Sequence, residues 1–147
     1  MKGPKIISAA KAFVVDGQGN FLCLYRSGTH PTHPHWADLP GGLIDEGEMP
    51  FEALVREMQE ECQIDISYSK FNLIFAESEM PDKFPDTSIT RLFYLIKIDD
   101  IKPEVLISWE HEKYEWLKYE EIFGKKFEEF VERAKEYIFK NKISLNV

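Results

Sequence analysis

Apolar residues over 6–15 (Ile-Ile-Ser-Ala-Ala-Lys-Ala-Phe-Val-Val) read as a strand, and Asp16-Gly17-Gln18-Gly19-Asn20 is a turn signal. Phe21-Leu-Cys-Leu-Tyr25 then returns as the second strand of a hairpin. Residues 27–38, rich in Ser, Gly, Thr, His and Pro, read as a loop. The rhythm changes over about 50–62. There Phe51, Leu54, Val55 and Met58 fall at helical spacing, and Glu57, Glu60 and Glu61 occupy a neighbouring arc of roughly 100°. Pro50 suits the first turn of that helix, where its missing N–H costs nothing. Strand-like segments follow near 66–78 and 88–98, separated by the Pro81–Pro85 loop. Tyr114-Glu-Trp-Leu117 reads as a short strand and 119–123 as a helical turn. Over 126–140, Phe127, Phe130, Val131, Ala134 and Ile138 recur at helical spacing, so that helix should pack its stripe on the sheet. Strands before, between and after two helices predict an α/β chain, a mixed sheet sandwiched by helices. The chain carries no internal repeat, linker or low-complexity tract.

At 147 residues and 44% hydrophobic content, the expectation is one domain over 1–147 with a real core. The net charge of −8 argues against binding a nucleic-acid polymer or a membrane surface. It would also repel an anionic substrate at long range, so local cations must overcome that field. Two cysteines, Cys23 and Cys62, fit buried reduced thiols in a cytoplasmic protein better than a disulfide scaffold. Lys11 and Asp16 interrupt the N-terminal apolar run, so it does not read as a signal peptide, and no apolar segment approaches membrane-spanning length. Dimers are the commonest assembly, which leaves a homodimer as an open expectation.

The charge is most informative on the helix. Three glutamates on one side of a turn repel one another and work against folding, which calls for a cation to offset them. Clustered oxygen ligands suit Mg²⁺ or Mn²⁺, and those ions suit phosphate chemistry. Ala53 lies on the same stripe one turn earlier and would leave room for a metal and a phosphate. Arg56 is within reach of Glu52 and Glu60, four residues to either side. Taken alone, the stripe also reads as an ordinary solvated glutamate-rich face. The upstream residues weigh against that. Trp36-Ala-Asp-Leu39-Pro40-Gly41-Gly42 pairs two glycines, which let backbone carbonyls approach a ligand. Leu39-Pro40 would close a short strand, and Glu48 stands just ahead of the helix, where a carboxylate suits its dipole.

This run resembles the signature of the Nudix hydrolases: Gly, five residues, Glu, seven residues, Arg-Glu-aliphatic, any residue, Glu-Glu, any residue, Gly-aliphatic. The chain supplies Gly42, Glu48, Arg56, Glu57, Met58, Glu60, Glu61 and Ile64 in register over residues 42–64. It departs at Gln63, where the family has a glycine that would end the helix in a left-handed conformation. A non-glycine residue there costs about 1–2 kcal/mol, or the helix ends differently.

The resemblance implies an α/β/α sandwich and hydrolysis of a diphosphate bond in a nucleoside diphosphate linked to another group. It implies metal ligands at Glu57, Glu60, Glu61 and the Gly41 carbonyl, and a general base at Glu60, Glu61 or Glu110. Arg56 and Glu48 would fix the loop and helix, and Arg26 would contact a phosphate. Glu112 competes with Glu110 for its role. The substrate expected is a nucleoside triphosphate or related nucleotide. Alternatives are a nucleotide sugar, a dinucleoside polyphosphate, or a nucleotide-binding module without turnover; such modules usually lose motif glutamates, which this chain retains.

The histidines His30, His33 and His35 invite a zinc reading, but their spacing fits no common zinc motif. They read as a polar loop at the pocket mouth, from which His35 could donate to a substrate phosphate. Trp116 reads as core. Phe84, Phe93 and Tyr94 are candidates for a nucleobase pocket, although most aromatics here must fill the core.

Overall fold

The computed structural model describes Gly3 and residues 5–141. Its strands are β1 (Lys5–Val15), β2 (Phe21–Arg26), β3 (Ala37–Asp38), β4 (Gly41–Leu43), β5 (Lys70–Glu79), β6 (Thr87–Lys97) and β7 (His111–Leu117). Its helices are α1 (Pro50–Cys62), α2 (Tyr119–Phe123) and α3 (Glu129–Lys140). The seven strands form one mixed sheet in the order β3-β2-β1-β6-β5, with β4 also on β1 and β7 also on β2.

Both faces of β1 and β2 are covered, which is why they read as apolar runs. Ala10, Ala12, Val14, Leu22 and Leu24 point to one side, where they meet Leu54, Met58 and Cys62 of α1. Phe13, Val15, Phe21, Cys23 and Tyr25 point to the other, where they meet Ile122 of α2 and Val131, Ala134 and Ile138 of α3. The stripe predicted for the last helix is therefore its packing face, although that helix begins at Glu129 and Phe127 is buried just ahead of it.

The hairpin between β1 and β2 is paired at one position only, Val15 with Phe21. Beyond it the strands diverge, and the long partner of β1 is parallel β6, in register from Lys5 with Thr87 to Val15 with Lys97. The gap is filled by the segment 37–43. Its first half pairs Ala37 and Asp38 with β2, and its second half pairs Gly41–Leu43 with β1. Pro40 breaks the ladder between the halves, as expected for Leu39-Pro40. Two other boundaries differ from the sequence reading. Residues 66–69 form a turn, in which Asp65 accepts the Ser67 N–H, and β7 starts at His111 rather than Tyr114.

Helix α1 occupies the predicted residues. Glu52 turns back to accept the Met49 N–H at 3.0 Å, which satisfies one exposed donor at the helix start. At its other end Gln63 takes the left-handed conformation, φ 54° and ψ 41°, and donates its N–H to the Gln59 carbonyl. The glycine-type exit is thus kept without glycine. Phe51 is half exposed, its ring edge-on to Phe71, so the buried stripe of α1 rests on Leu54 and Met58.

Candidate active site

The glutamates of α1 lie beneath the bend that carries Gly41 and Gly42. Gly41, at φ +128°, donates its N–H to Glu61 Oε1 at 2.9 Å. A Cβ at Gly42 would stand 2.8 Å from Glu57 Oε1, so any side chain there would push that carboxylate aside. The paired glycines thus bring the backbone down onto two carboxylates. Glu60 faces outward, more than half exposed. Ala53, one turn earlier, is fully buried.

Arg56 ties the loop to the helix. Its Nε and Nη2 grip both oxygens of Glu48 at 3.0 Å, a bidentate pair. Its Nη1 reaches Glu57 at 2.9 Å and Glu60 at 3.5 Å, and its Nη2 also donates to the Leu43 carbonyl. The reach to Glu52 is not used, since Glu52 caps the helix start. Glu48 is held below the usual carboxylate range by its hydrogen bonds from Arg56 and from the Asp45 backbone.

Under the glutamates lies a polar layer built from four strands. Lys11 Nζ, from the middle of β1, sits 3.3 Å from Asp38 Oδ1 and donates to the Leu39 and Gly41 carbonyls. His111, the first residue of β7, places Nε2 3.1 Å from Asp38 Oδ2 and Nδ1 3.7 Å from Glu61 Oε2. Arg26 Nε lies 3.8 Å from Asp38. Burial opposes the charge on Asp38, but Lys11, the His111 hydrogen bond and Arg26 outweigh it and hold the carboxyl well below its ordinary range. The balance is reversed at Glu61. Its residue is 3% exposed, and burial pushes its carboxyl up to about 8 against the pull of Lys11 and the Gly41 N–H, with Glu57 and Asp38 adding repulsion.

The remaining expected residues lie around this centre. Arg26 is buried, and its Nη1 is engaged by Glu128 at 2.7 Å and by the Thr32 carbonyl. His35 pairs through Nδ1 with Glu112 at the surface. His33 stacks on Trp36 with centroids 3.8 Å apart, and His30 binds within its own loop to Thr32. Glu110 is exposed, one residue before His111, and its carbonyl accepts the Ser27 N–H. A groove of about 520 Å³ opens beside Arg26's partner Glu128, lined also by His33, Trp36, Phe84, Arg91 and Phe130. Of the aromatic candidates, Phe84 lines it, Phe93 is core, and Tyr94 packs against Phe71 on the α1 side. Trp116 packs against the core, its indole N–H on the Pro103 carbonyl. Cys23 and Cys62 are buried and free; burial raises both thiols, Cys23 to about 11.

Sequence reasoning did not single out Lys11, Asp38, His111 or Glu128 for the site. The signal for the first two was present: a charge inside an apolar run destined for a covered strand must find a partner.

The donor set fits a hard divalent cation. Glu61 meets the backbone at Gly41 and Glu57 meets it at Gly42, and Glu57 and Asp38 add repulsion to the burial that raises the Glu61 carboxyl, a repulsion that a cation would relieve. Among the described residues, no group of three or more His, Cys, Asp or Glu side chains is already gathered around one point as a metal site. Among them too, no helix is long and apolar enough to cross a membrane.

Comparison with known proteins agrees with this architecture. The family model for the NUDIX domain matches residues 5–140. The 8-oxo-dGTP diphosphatase of Escherichia coli is 31% identical over 84 residues, covering 57% of this chain and 61% of that protein. The asymmetrical bis(5'-nucleosyl)-tetraphosphatase of Rattus norvegicus is 35% identical over 108 residues, 69% of this chain and 65% of that one. The chain thus spans just under two thirds of these two relatives. The crystal structure of the MutT protein from Methanosarcina mazei Go1 superposes with a TM-score of 0.73 at 23% identity, covering 97% of this chain and all of that one, a likeness of fold.

Proposed function

The chain belongs to the Nudix family, and on that premise we propose that it hydrolyses a diphosphate bond in a nucleotide, with Mg²⁺ or Mn²⁺ as the metal. The observation that carries this reading is the seating of Glu57 and Glu61 under the Gly41–Gly42 backbone. Glu57, Glu60, Glu61 and the Gly41 carbonyl would hold the metal. When bound, the ion would lower the pKa of a water and neutralise charge developing on phosphate oxygens.

The chain's own residues would do the rest. Arg56 and Glu48 hold the loop against the helix, so the carboxylates stay aimed as the substrate enters. Glu60, Glu61 or Glu110 would take the proton of the attacking water. Arg26, fixed by Glu128 and Thr32, would meet a phosphate, and His35 a second. The groove's aromatic lining would take a nucleobase by stacking. The substrate we favour is a nucleoside triphosphate, the class to which 8-oxo-dGTP belongs. The tetraphosphatase relative supports a dinucleoside polyphosphate as the second reading. Work in the cytoplasm would keep both buried thiols reduced.

Phosphate and pyrophosphate release from a panel of nucleoside triphosphates, dinucleoside polyphosphates and nucleotide sugars, with and without Mg²⁺, tests the proposal. Turnover should require the metal, and Glu57→Gln and Glu61→Gln should each lower it by orders of magnitude while the protein stays folded. Full metal-dependent activity in both variants would defeat the assignment, and binding without turnover would favour a sensor.

A further inference from the structure

We propose that His111 belongs to the metal centre, offering Nδ1 as a nitrogen donor beside Glu61. The inference rests on the metal-dependent reading of the site given above.

Its side chain is almost wholly buried, 2% exposed, and its two ring nitrogens have different fates. Nε2 lies 3.1 Å from Asp38 Oδ2. Asp38 is flanked by Lys11 and Arg26 and is held as a carboxylate, which can only accept. Nε2 therefore carries the hydrogen, and in the neutral ring the lone pair falls on Nδ1. That atom is buried and has no hydrogen-bond partner. A buried polar atom left unpaired calls for something to complete it.

What it faces is Glu61 Oε2, 3.7 Å away. This is too long for a hydrogen bond. It is shorter than the roughly 4.2 Å spanned by two metal–ligand bonds of about 2.1 Å each, so one ion can touch both atoms. A histidine that donates one ring N–H to a carboxylate and turns the other nitrogen to a metal is a recurrent arrangement, because the carboxylate fixes the ring and raises its basicity. Asp38, His111 and Glu61 stand in that order. The arrangement also explains why a lysine and an arginine are buried under an acidic site: they hold Asp38 ionised and so hold the ring.

An imidazole donor changes which ions the site prefers. Carboxylates and carbonyls alone suit Mg²⁺, whereas a nitrogen ligand shifts preference toward Mn²⁺, Co²⁺ or Zn²⁺. The whole protein loaded with Mn²⁺ should show ¹⁴N modulation in its electron spin echo, replaced by the ¹⁵N pattern when histidine alone is labelled with ¹⁵N. His111→Asn should abolish that coupling and lower the preference for Mn²⁺ over Mg²⁺, measured as a ratio of dissociation constants, by at least about tenfold. Should that variant fail to fold, a protein with His30, His33 and His35 all replaced by Gln keeps His111 as its last histidine and should retain the coupling. Mn²⁺ bound through Glu57 and Glu61 with no nitrogen coupling would overturn the proposal and leave the carboxylate site intact. No bound Mn²⁺, or binding indifferent to Glu57→Gln and Glu61→Gln, would instead remove the functional reading beneath it.

Discussion

Substituting alanine at each of the two adjacent glycines should separate folding from metal binding. At Gly42 the new Cβ would lie 2.8 Å from Glu57 Oε1 and 3.1 Å from its Cδ, where ordinary contact begins at 3.4 Å. The carboxylate must therefore retreat by about 0.6 Å, well beyond the roughly 0.2 Å within which metal–ligand distances are held. The obstacle is the end of a flexible side chain, so the fold should tolerate the change, with stability altered by less than about 1 kcal/mol. Metal affinity and turnover should fall about 10–100-fold, as when a group that places a ligand is lost. At Gly41 the new Cβ would meet backbone, 2.1 Å from the Ala10 carbonyl oxygen and 2.9 Å from the Lys11 Cα, at a φ of +128°. Strain of that kind costs about 1–3 kcal/mol before the β1–β4 pairing is disturbed. Gly41→Ala should therefore melt about 3–9 °C lower. Thermal melts, Mn²⁺ titration calorimetry and turnover on the best substrate read all three quantities. A Gly42→Ala protein that binds Mn²⁺ and turns over like the parent would refute the idea that Glu57 works from under this bend.

Two further outcomes follow from the same geometry. Because the folded protein holds Glu61 up to about 8, above its ordinary 4.5, it binds that proton more tightly than the unfolded chain does. Metal-free protein should thus lose stability on the order of 2–4 kcal/mol as pH rises from about 4.5 through 8, and Glu61→Gln should flatten that fall in urea melts across the window; an unchanged slope would show that Glu61 titrates normally. Gln63→Gly should raise stability by about 1 kcal/mol, or roughly 3 °C, because Gln63 occupies a left-handed position with φ 54°; a lower melting point would contradict that account.

The parts legible in the sequence are those governed by neighbours in the chain. Helix α1 came from the three- and four-residue spacing of Leu54, Met58 and the glutamates, and its limits agree because Pro50 and the run ending at Cys62 mark them locally. The covered strands β1 and β2 were readable from their apolar runs. The boundaries that moved are those set by partners far along the chain. β7 gains His111–Lys113 because β2 offers Tyr25 and Arg26 to pair with. The reach assumed from Arg56 to Glu52 was possible by spacing, yet Glu48, brought back by the loop, takes two of its donors instead.

What the order of residues determined by itself is the acidic stripe, the glycine pair above it and the covered-strand character of the sheet. Each follows from a periodicity or a backbone freedom that acts within a few residues. Only the folded chain decided that β1 and β2 part after a single pair, that segment 37–43 wedges between them, and that Lys11, Asp38 and His111 gather below Glu61. His111 lies 73 positions beyond Asp38. Nothing local relates two such residues; they meet because β3 and β7 both pair with β2, and buried polar groups brought that close satisfy one another.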